Sequence, residues 1–376
     1  MSATSRIFLS PPFVGAAERR AVKLAFDSGY VAPCGPQVDA FERRLAQLAG
    51  RRYAVAVSSG TAALDLAMAE LAVGPDTLVI APTLTFIATV GPAWHRGAEL
   101  AFVDSDETGN IDVKLLAQAL ADARRRSPSR PVVVLGVDLY GRCCDSAAIA
   151  RLCRRFRAKF VCDSAEAVGA TTAGGRPAGS AGVMAVYSFN GNKIVTTSGG
   201  GALLTDSRAI AERARKRSQQ SREPFPWYQH REVGWNYRLS NLLASLGLAQ
   251  LDRLPAILGK RRANKAFYLD RWGRSDGRTL PPVPGENNWL TIVLAPSRAA
   301  RDRLLARLAA ANCEARPVWK PMHLQPVFRK CRVYGGAVSR RLFDRGVCLP
   351  SGTGLTAADL NRVAACLVPG GRNAAV

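Results

Sequence analysis

Apolar residues fall in short, nearly continuous runs along the first half of the chain. The runs at 53–57, 77–80, 100–103, 132–137, 160–162, 183–187 and 202–204 are of strand length. They do not alternate with polar residues, as strands buried on both faces need not. Stretches with helical spacing separate most of the earlier runs. In 38–49, for example, Val38, Phe41, Leu45 and Leu48 share one face. Strands alternating with helices predict a mostly parallel sheet covered on both sides. Beyond Thr205 the pattern changes. A charged helix is expected at 208–220, an irregular aromatic stretch at 221–237 and helices at 240–251 and 254–272. A Pro- and Gly-rich linker follows at 277–286, then strand, helix and strand at 288–295, 298–311 and 313–318. The last helix starts near Thr356, with Asp359 placed for a capping box. The expectation is an α/β protein, with a large domain built on a seven-stranded sheet over 1–250 and a smaller α+β domain over 251–376.

Composition narrows the class. Of 376 residues, 48% are hydrophobic, enough for a sizeable core. No uncharged apolar run reaches 18 residues, so no membrane span is expected, and the N-terminal residues lack a signal peptide's apolar centre. A cytoplasmic protein is expected. The nine cysteines are odd in number and include no C-x-x-C, which predicts reduced thiols and no metal centre. The 52 basic residues outnumber 29 acidic ones, for a net charge of +23. That balance fits nucleic acid or a phosphorylated substrate. The arginines are spread over the whole length without a nucleic-acid-binding motif, which favours solvated helix faces and an anionic substrate.

In open α/β sheets, ligands bind beyond the carboxyl ends of the strands. Ser-Ser-Gly-Thr-Ala-Ala-Leu at 58–64 follows the first run and opens a helix, whose N–H groups and dipole favour a phosphate. Taken alone, an ordinary N-cap by Ser59 or Thr61 is the favoured alternative. Phe86 follows the second run and could stack on a planar ring or belong to the core. Asp163 ends the fifth run. With Glu166 three residues on, it could cap a helix, or it could hold a proton on a ring nitrogen. Lys193 sits between the last two runs, in a turn expected at a sheet edge, before a triple glycine. An enclosed lysine amine can act as a nucleophile. Phosphate site, stacking ring, ring-nitrogen carboxylate and lysine together suit pyridoxal 5'-phosphate.

The chain also resembles the fold-type I pyridoxal-phosphate aminotransferases that act on nucleotide-linked keto sugars. The resemblance rests on 58–64, Pro-Thr-Leu-Thr-Phe-Ile-Ala-Thr at 82–89, Asp-Ser-Ala-Glu-Ala-Val-Gly-Ala at 163–170, Ser-Phe-Asn-Gly-Asn-Lys at 188–193 and Gly-Trp-Asn-Tyr-Arg-Leu-Ser-Asn at 234–241. It implies that Lys193 bonds covalently to the cofactor and that Asp163 pairs with the pyridine nitrogen. It implies phosphate contacts from Gly60, Thr61, Ala62 and Ser188, and a ring contact from Phe86. Asn236 would reach the phosphate of a partner subunit, which implies a homodimer with shared sites. The segments 7–12, 30–36, 227–230, 316–325 and 349–352 resemble the subgroup that aminates C-4 of UDP-4-keto-6-deoxy-N-acetylglucosamine. L-Glutamate is the implied donor, with pyridoxamine 5'-phosphate as the intermediate form. Phe13 stands where that subgroup is expected to carry histidine. Glu166 stands at a cofactor-side position where many relatives carry glutamine or histidine. For the sugar's diphosphate the candidates are Arg238, Arg316 and Lys320, and for the sugar pocket His230 and His323. GDP- or dTDP-linked sugars, and a non-catalytic cofactor-binding sensor, are the alternatives. The related sugar dehydratases carry histidine in place of the lysine, and Lys193 argues against that reaction.

Overall fold

A computed structural model describes residues 5–273 and 278–367. Seven strands occur before residue 206: β1 (Tyr53–Val57), β2 (Leu78–Pro82), β3 (Glu99–Val103), β4 (Val132–Val137), β5 (Lys159–Asp163), β6 (Met184–Ser188) and β7 (Gly201–Thr205). The helices among and before them are α1 (Ala16–Asp27), α2 (Pro36–Ala49), α3 (Gly60–Glu70), α4 (Gly91–His95), α5 (Val113–Arg126) and α6 (Ser146–Arg155). After β7 come α7 (Arg208–Arg217), α8 (Asn241–Asp252), α9 (Leu254–Gly273), α10 (Arg298–Ala310), α11 (Ala337–Arg345) and α12 (Ala357–Ala365). The later strands are β8 (Arg278–Thr279), β9 (Thr291–Leu294), β10 (Arg316–Pro317), β11 (Arg332–Tyr334) and β12 (Gly346–Leu349).

The large sheet runs β1-β7-β6-β5-β4-β2-β3-β11. Only β7 runs against its neighbours. Strand residues explain the uninterrupted apolar runs. Ala54, Leu78, Ile80, Val132 and Val134 pack into one core layer, while Val55, Val57, Val79, Val133 and Leu135 pack into the layer on the opposite face. Both faces are covered, so no polar alternation survives. The eighth strand, β11, comes from the C-terminal part and pairs in parallel with β3. The smaller sheet, β10-β12-β9-β8, is antiparallel throughout.

Several sequence expectations shift. The stretch expected as a linker at 277–286 supplies β8, which pairs with β9; its Gly277 lies outside the described residues. The strand expected at 313–318 shortens to β10, with Cys313 bridging to Ile7 of the N-terminal segment. The first four residues, part of the stretch read for a signal peptide, also lie outside the described residues. The capping box at Thr356 and Asp359 forms as expected. Among the described residues, no single helix is long and apolar enough to cross a membrane.

Candidate active site

The carboxyl ends of β5 and β6 open on a cavity of about 210 Å³. Lys193 lies in the turn from β6 to β7. These strands are interior to the sheet, so the turn is not at an edge. The lysine Nζ donates to Glu166 Oε1 at 3.1 Å and sits 4.0 Å from the centre of the Trp289 ring. Its side chain is 12% exposed, so the amine is enclosed yet open to the cavity. Glu166 is buried, and its other oxygen accepts the Tyr140 N–H at 2.7 Å. Burial pushes the Glu166 carboxyl above its ordinary pKa, against the pull of the Lys193 charge.

Asp163 ends β5 and lines the same cavity. No helix follows it, so the capping reading fails. Its Oδ2 accepts from Thr89 Oγ1 at 2.7 Å and its Oδ1 from the Ala165 N–H at 3.2 Å. Burial raises its pKa, and no cation makes an ion pair with it among the described residues. The Lys193 charge offsets part of this shift, but a buried carboxylate without a direct ion pair is costly, and a protonated ring nitrogen would offset that cost. Behind it, Asp138 accepts from Ser164 Oγ at 2.6 Å and from the Cys144 N–H at 3.0 Å, and burial raises its pKa also. Asp138 lies with Cys144 and Cys162 in one buried group.

At another side of the cavity, α3 begins. Ser59 Oγ accepts the Ala62 N–H at 3.0 Å, so the capping reading of this serine holds. Ala62 is thereby engaged and does not line the cavity, unlike Gly60, Thr61 and Ser188. The helix cannot satisfy the N–H groups of its first turn from within. Two glycines keep the cradle open. A Cβ on Gly60 would meet Ser188 Cβ at 3.0 Å, and one on Gly201 would meet the Ser59 carbonyl at 2.4 Å. Helix start, unpaired carboxylate and enclosed amine therefore fit pyridoxal phosphate, end for end.

Phe86 is 54% exposed at the cavity wall and packs on Trp319, with ring centres 5.4 Å apart. Trp289 and Trp319 are wall residues that the sequence reading gave no role. Trp319 lies within 316–325, one residue before Lys320, and that placement was the available signal. The substrate candidates divide. Arg316 lines a second groove that shares Phe86, Asn192, Trp289 and Trp319 with the cavity, although Glu314 pairs with it at 2.9 Å. Lys320 is exposed and outside both lining sets. His323 Nδ1 is bound to Thr83 Oγ1 at 2.6 Å, with its pKa lowered by burial, and it lies outside the cavity. His230 is exposed and held to the Gln220 carbonyl at 2.8 Å. Arg238 is buried, pairs with Glu42 Oε1 at 2.6 Å and donates to the Ala56 carbonyl at 2.9 Å. Asn236 is exposed and lines a different groove with Lys216, Arg222 and Arg238, not the Lys193 cavity.

Comparison with known proteins places the chain in a family. The sequence model of the DegT/DnrJ/EryC1/StrS aminotransferase family matches residues 12–368. EpsN of Bacillus subtilis, provisionally assigned as a pyridoxal phosphate-dependent aminotransferase, is 40% identical over 95% of this chain and 94% of its own. A GDP-perosamine synthase of Caulobacter vibrioides is 34% identical over 98% and 99%. The structure of DesI, solved in the presence of its TDP-sugar product, matches with a TM-score of 0.86 at 29% identity, covering 96% of this chain and 92% of that one. The chain belongs to the DegT/DnrJ/EryC1/StrS aminotransferase family, whose enzymes are pyridoxal phosphate-dependent sugar aminotransferases of fold type I.

Proposed function

We propose that this enzyme moves an amino group from L-glutamate to C-4 of a nucleotide-linked 4-keto-6-deoxy sugar, and that the sugar is UDP-4-keto-6-deoxy-N-acetylglucosamine. The observation that carries the reaction is the Lys193 amine in one cavity with the Asp163 carboxyl, which has no ion-pair partner among the described residues, and the first turn of α3. Bound pyridoxal phosphate supplies an electron sink for the carbon that loses a proton. Lys193 would hold the cofactor and then, with its Nζ free, carry the proton between donor carbon and cofactor. Glu166 Oε1 gives Nζ a resting place between these roles. Asp163 would keep the ring nitrogen protonated. Gly60, Thr61 and Ser188 would hold the phosphate, with Phe86 and Trp319 forming a wall. Arg316, on the adjoining groove, is the cation best placed for the sugar's diphosphate. Asn236 would serve the second subunit of a homodimer. The UDP assignment is supported by the resemblance at 30–36 and 316–325. A GDP-linked sugar is the second reading, favoured by the GDP-perosamine synthase relative.

The test is incubation with L-glutamate and a panel of UDP-, GDP- and dTDP-linked 4-keto-6-deoxy sugars, read by mass spectrometry. The expected result is conversion of the UDP sugar to its 4-amino form. Conversion of the GDP sugar alone would replace the first reading by the second. A yellow protein that turns over none of the panel would be a binding protein rather than this transaminase.

A further inference from the structure

Arg261, on α9, is 2% exposed, and among the described residues no carboxylate makes an ion pair with it. An unpaired buried cation is costly, and its pKa is lowered by burial to about 10. Its donors go elsewhere. Nη1 and Nη2 both reach Ser10 Oγ at 3.2 Å, Nη1 also reaches the Trp289 carbonyl at 2.8 Å, and Nε reaches Thr353 Oγ1 at 3.2 Å. One guanidinium thus ties together the N-terminal segment, the chain entering β9 and the chain beyond β12.

Two of these partners converge again. The Ser10 hydroxyl donates to the Asn192 carbonyl at 2.8 Å, and the Trp289 indole N–H donates to the same oxygen at 2.6 Å. Asn192 immediately precedes Lys193. The N–H of Lys193 donates to the Asn190 carbonyl at 2.9 Å. Both polar ends of the peptide plane that carries Lys193 are therefore fixed. The Trp289 ring also lies under the lysine amine.

We infer that Arg261 is a positioning residue for Lys193, acting through Ser10 and Trp289 on the Asn192 carbonyl. Its planar fork bonds several acceptors at once, which a lysine ammonium cannot reproduce in the same geometry. The inference rests on Lys193 as the cofactor-bearing residue.

The experiment compares wild-type holoenzyme with Ser10→Ala, Arg261→Lys and the double variant. Borohydride fixation and peptide mapping of the wild type check the underlying assignment first; label on another lysine defeats that assignment and, with it, the clamp. With label on Lys193, each variant is read by visible circular dichroism per bound cofactor, by the single-turnover rate with L-glutamate and by thermal unfolding. The expected result is a weaker visible dichroism and about a tenfold slower single turnover at saturating glutamate in each single variant. Arg261→Lys should add less on the Ser10→Ala background than alone, because the two share a path. Wild-type dichroism and turnover in folded Ser10→Ala would overturn the clamp, as would variants that lose only unfolding temperature. If Arg261→Lys does not accumulate, Ser10→Ala alone decides.

Discussion

Asp163 and Glu166 lie buried beside Lys193, with Asp138 buried behind Asp163, and burial raises the pKa of each. Only Glu166 has the lysine as an ion-pair partner. For Asp163 the sign follows directly. Its folded-state pKa stands above its unfolded value, so its favourable contribution is complete below the unfolded pKa of about 4 and is lost as pH rises through the folded pKa. In cofactor-free protein, Asp163→Asn should therefore raise the unfolding temperature at pH 7 relative to wild type and leave little difference near pH 4. Adding pyridoxal phosphate should stabilise wild type more than the variant, since only the carboxylate can pair with a protonated ring. Transamination by the folded variant should be lost. An Asn variant with near-normal turnover would remove Asp163 from the chemistry. Asp163 was legible in the sequence because it ends an apolar run, but its capping alternative was decided only by the absence of a helix. Trp289 was not legible, and Trp319 only through its place within 316–325, because a tryptophan in a loop carries no periodicity that separates a cavity wall from core.

At the level of elements, Arg238 shows how a residue picked for substrate can serve packing. Its guanidinium joins α2 to β1, with Glu42 at 2.6 Å and the Ala56 carbonyl at 2.9 Å. Glu42 also accepts the Ala56 N–H at 2.8 Å and a second arginine, Arg215, at 2.6 Å. Removing one partner of a buried pair strands the other charge. Arg238→Met should cost about 3 kcal/mol, near the lower end for such losses because Arg215 still serves Glu42. The urea midpoint with an unchanged slope measures this. Normal stability with a raised KM for the nucleotide sugar would return Arg238 to the substrate. The seven early strands were legible because both faces are buried, which leaves whole runs apolar. The eighth was not. Arg332, Val333 and Tyr334 form a three-residue edge strand whose partner lies more than 200 residues earlier, at 101–103. Nothing local marks such a pairing. β8, two residues inside a stretch read as a linker, is too short to show a strand pattern, while β10 falls within the strand expected at 313–318.

At the scale of the whole molecule, Asn236, expected at the cofactor phosphate, lies on a different groove from the Lys193 cavity. Asn236 lies near the end of the aromatic stretch, bridges to Gln219 and is exposed, while Gly60, Thr61 and Ser188 line the Lys193 cavity without it. Large apolar side chains stand exposed on the same chain, with Leu24 and Phe26 of α1 each 59% exposed and Tyr228 79% exposed. Exposed apolar area of this kind suits a protein contact, and two-fold dimers are the commonest soluble assembly. In the proposed dimer, Asn236 reaches the cofactor phosphate of the partner. Asn236→Ala should then weaken cofactor retention, and Lys193→Ala should abolish turnover. Mixing the two inactive or weakened proteins should restore part of the activity. One site of a mixed dimer combines the intact Lys193 of the Asn236→Ala chain with the intact Asn236 of the Lys193→Ala chain, while the other site carries both defects. Random exchange between equal amounts places half of the dimers in the mixed class, so about a quarter of all sites should be repaired. Activity at that level after exchange, and none before it, supports the shared site. No recovery despite demonstrated exchange, with a clear defect in each parent, would place the action of Asn236 within its own subunit.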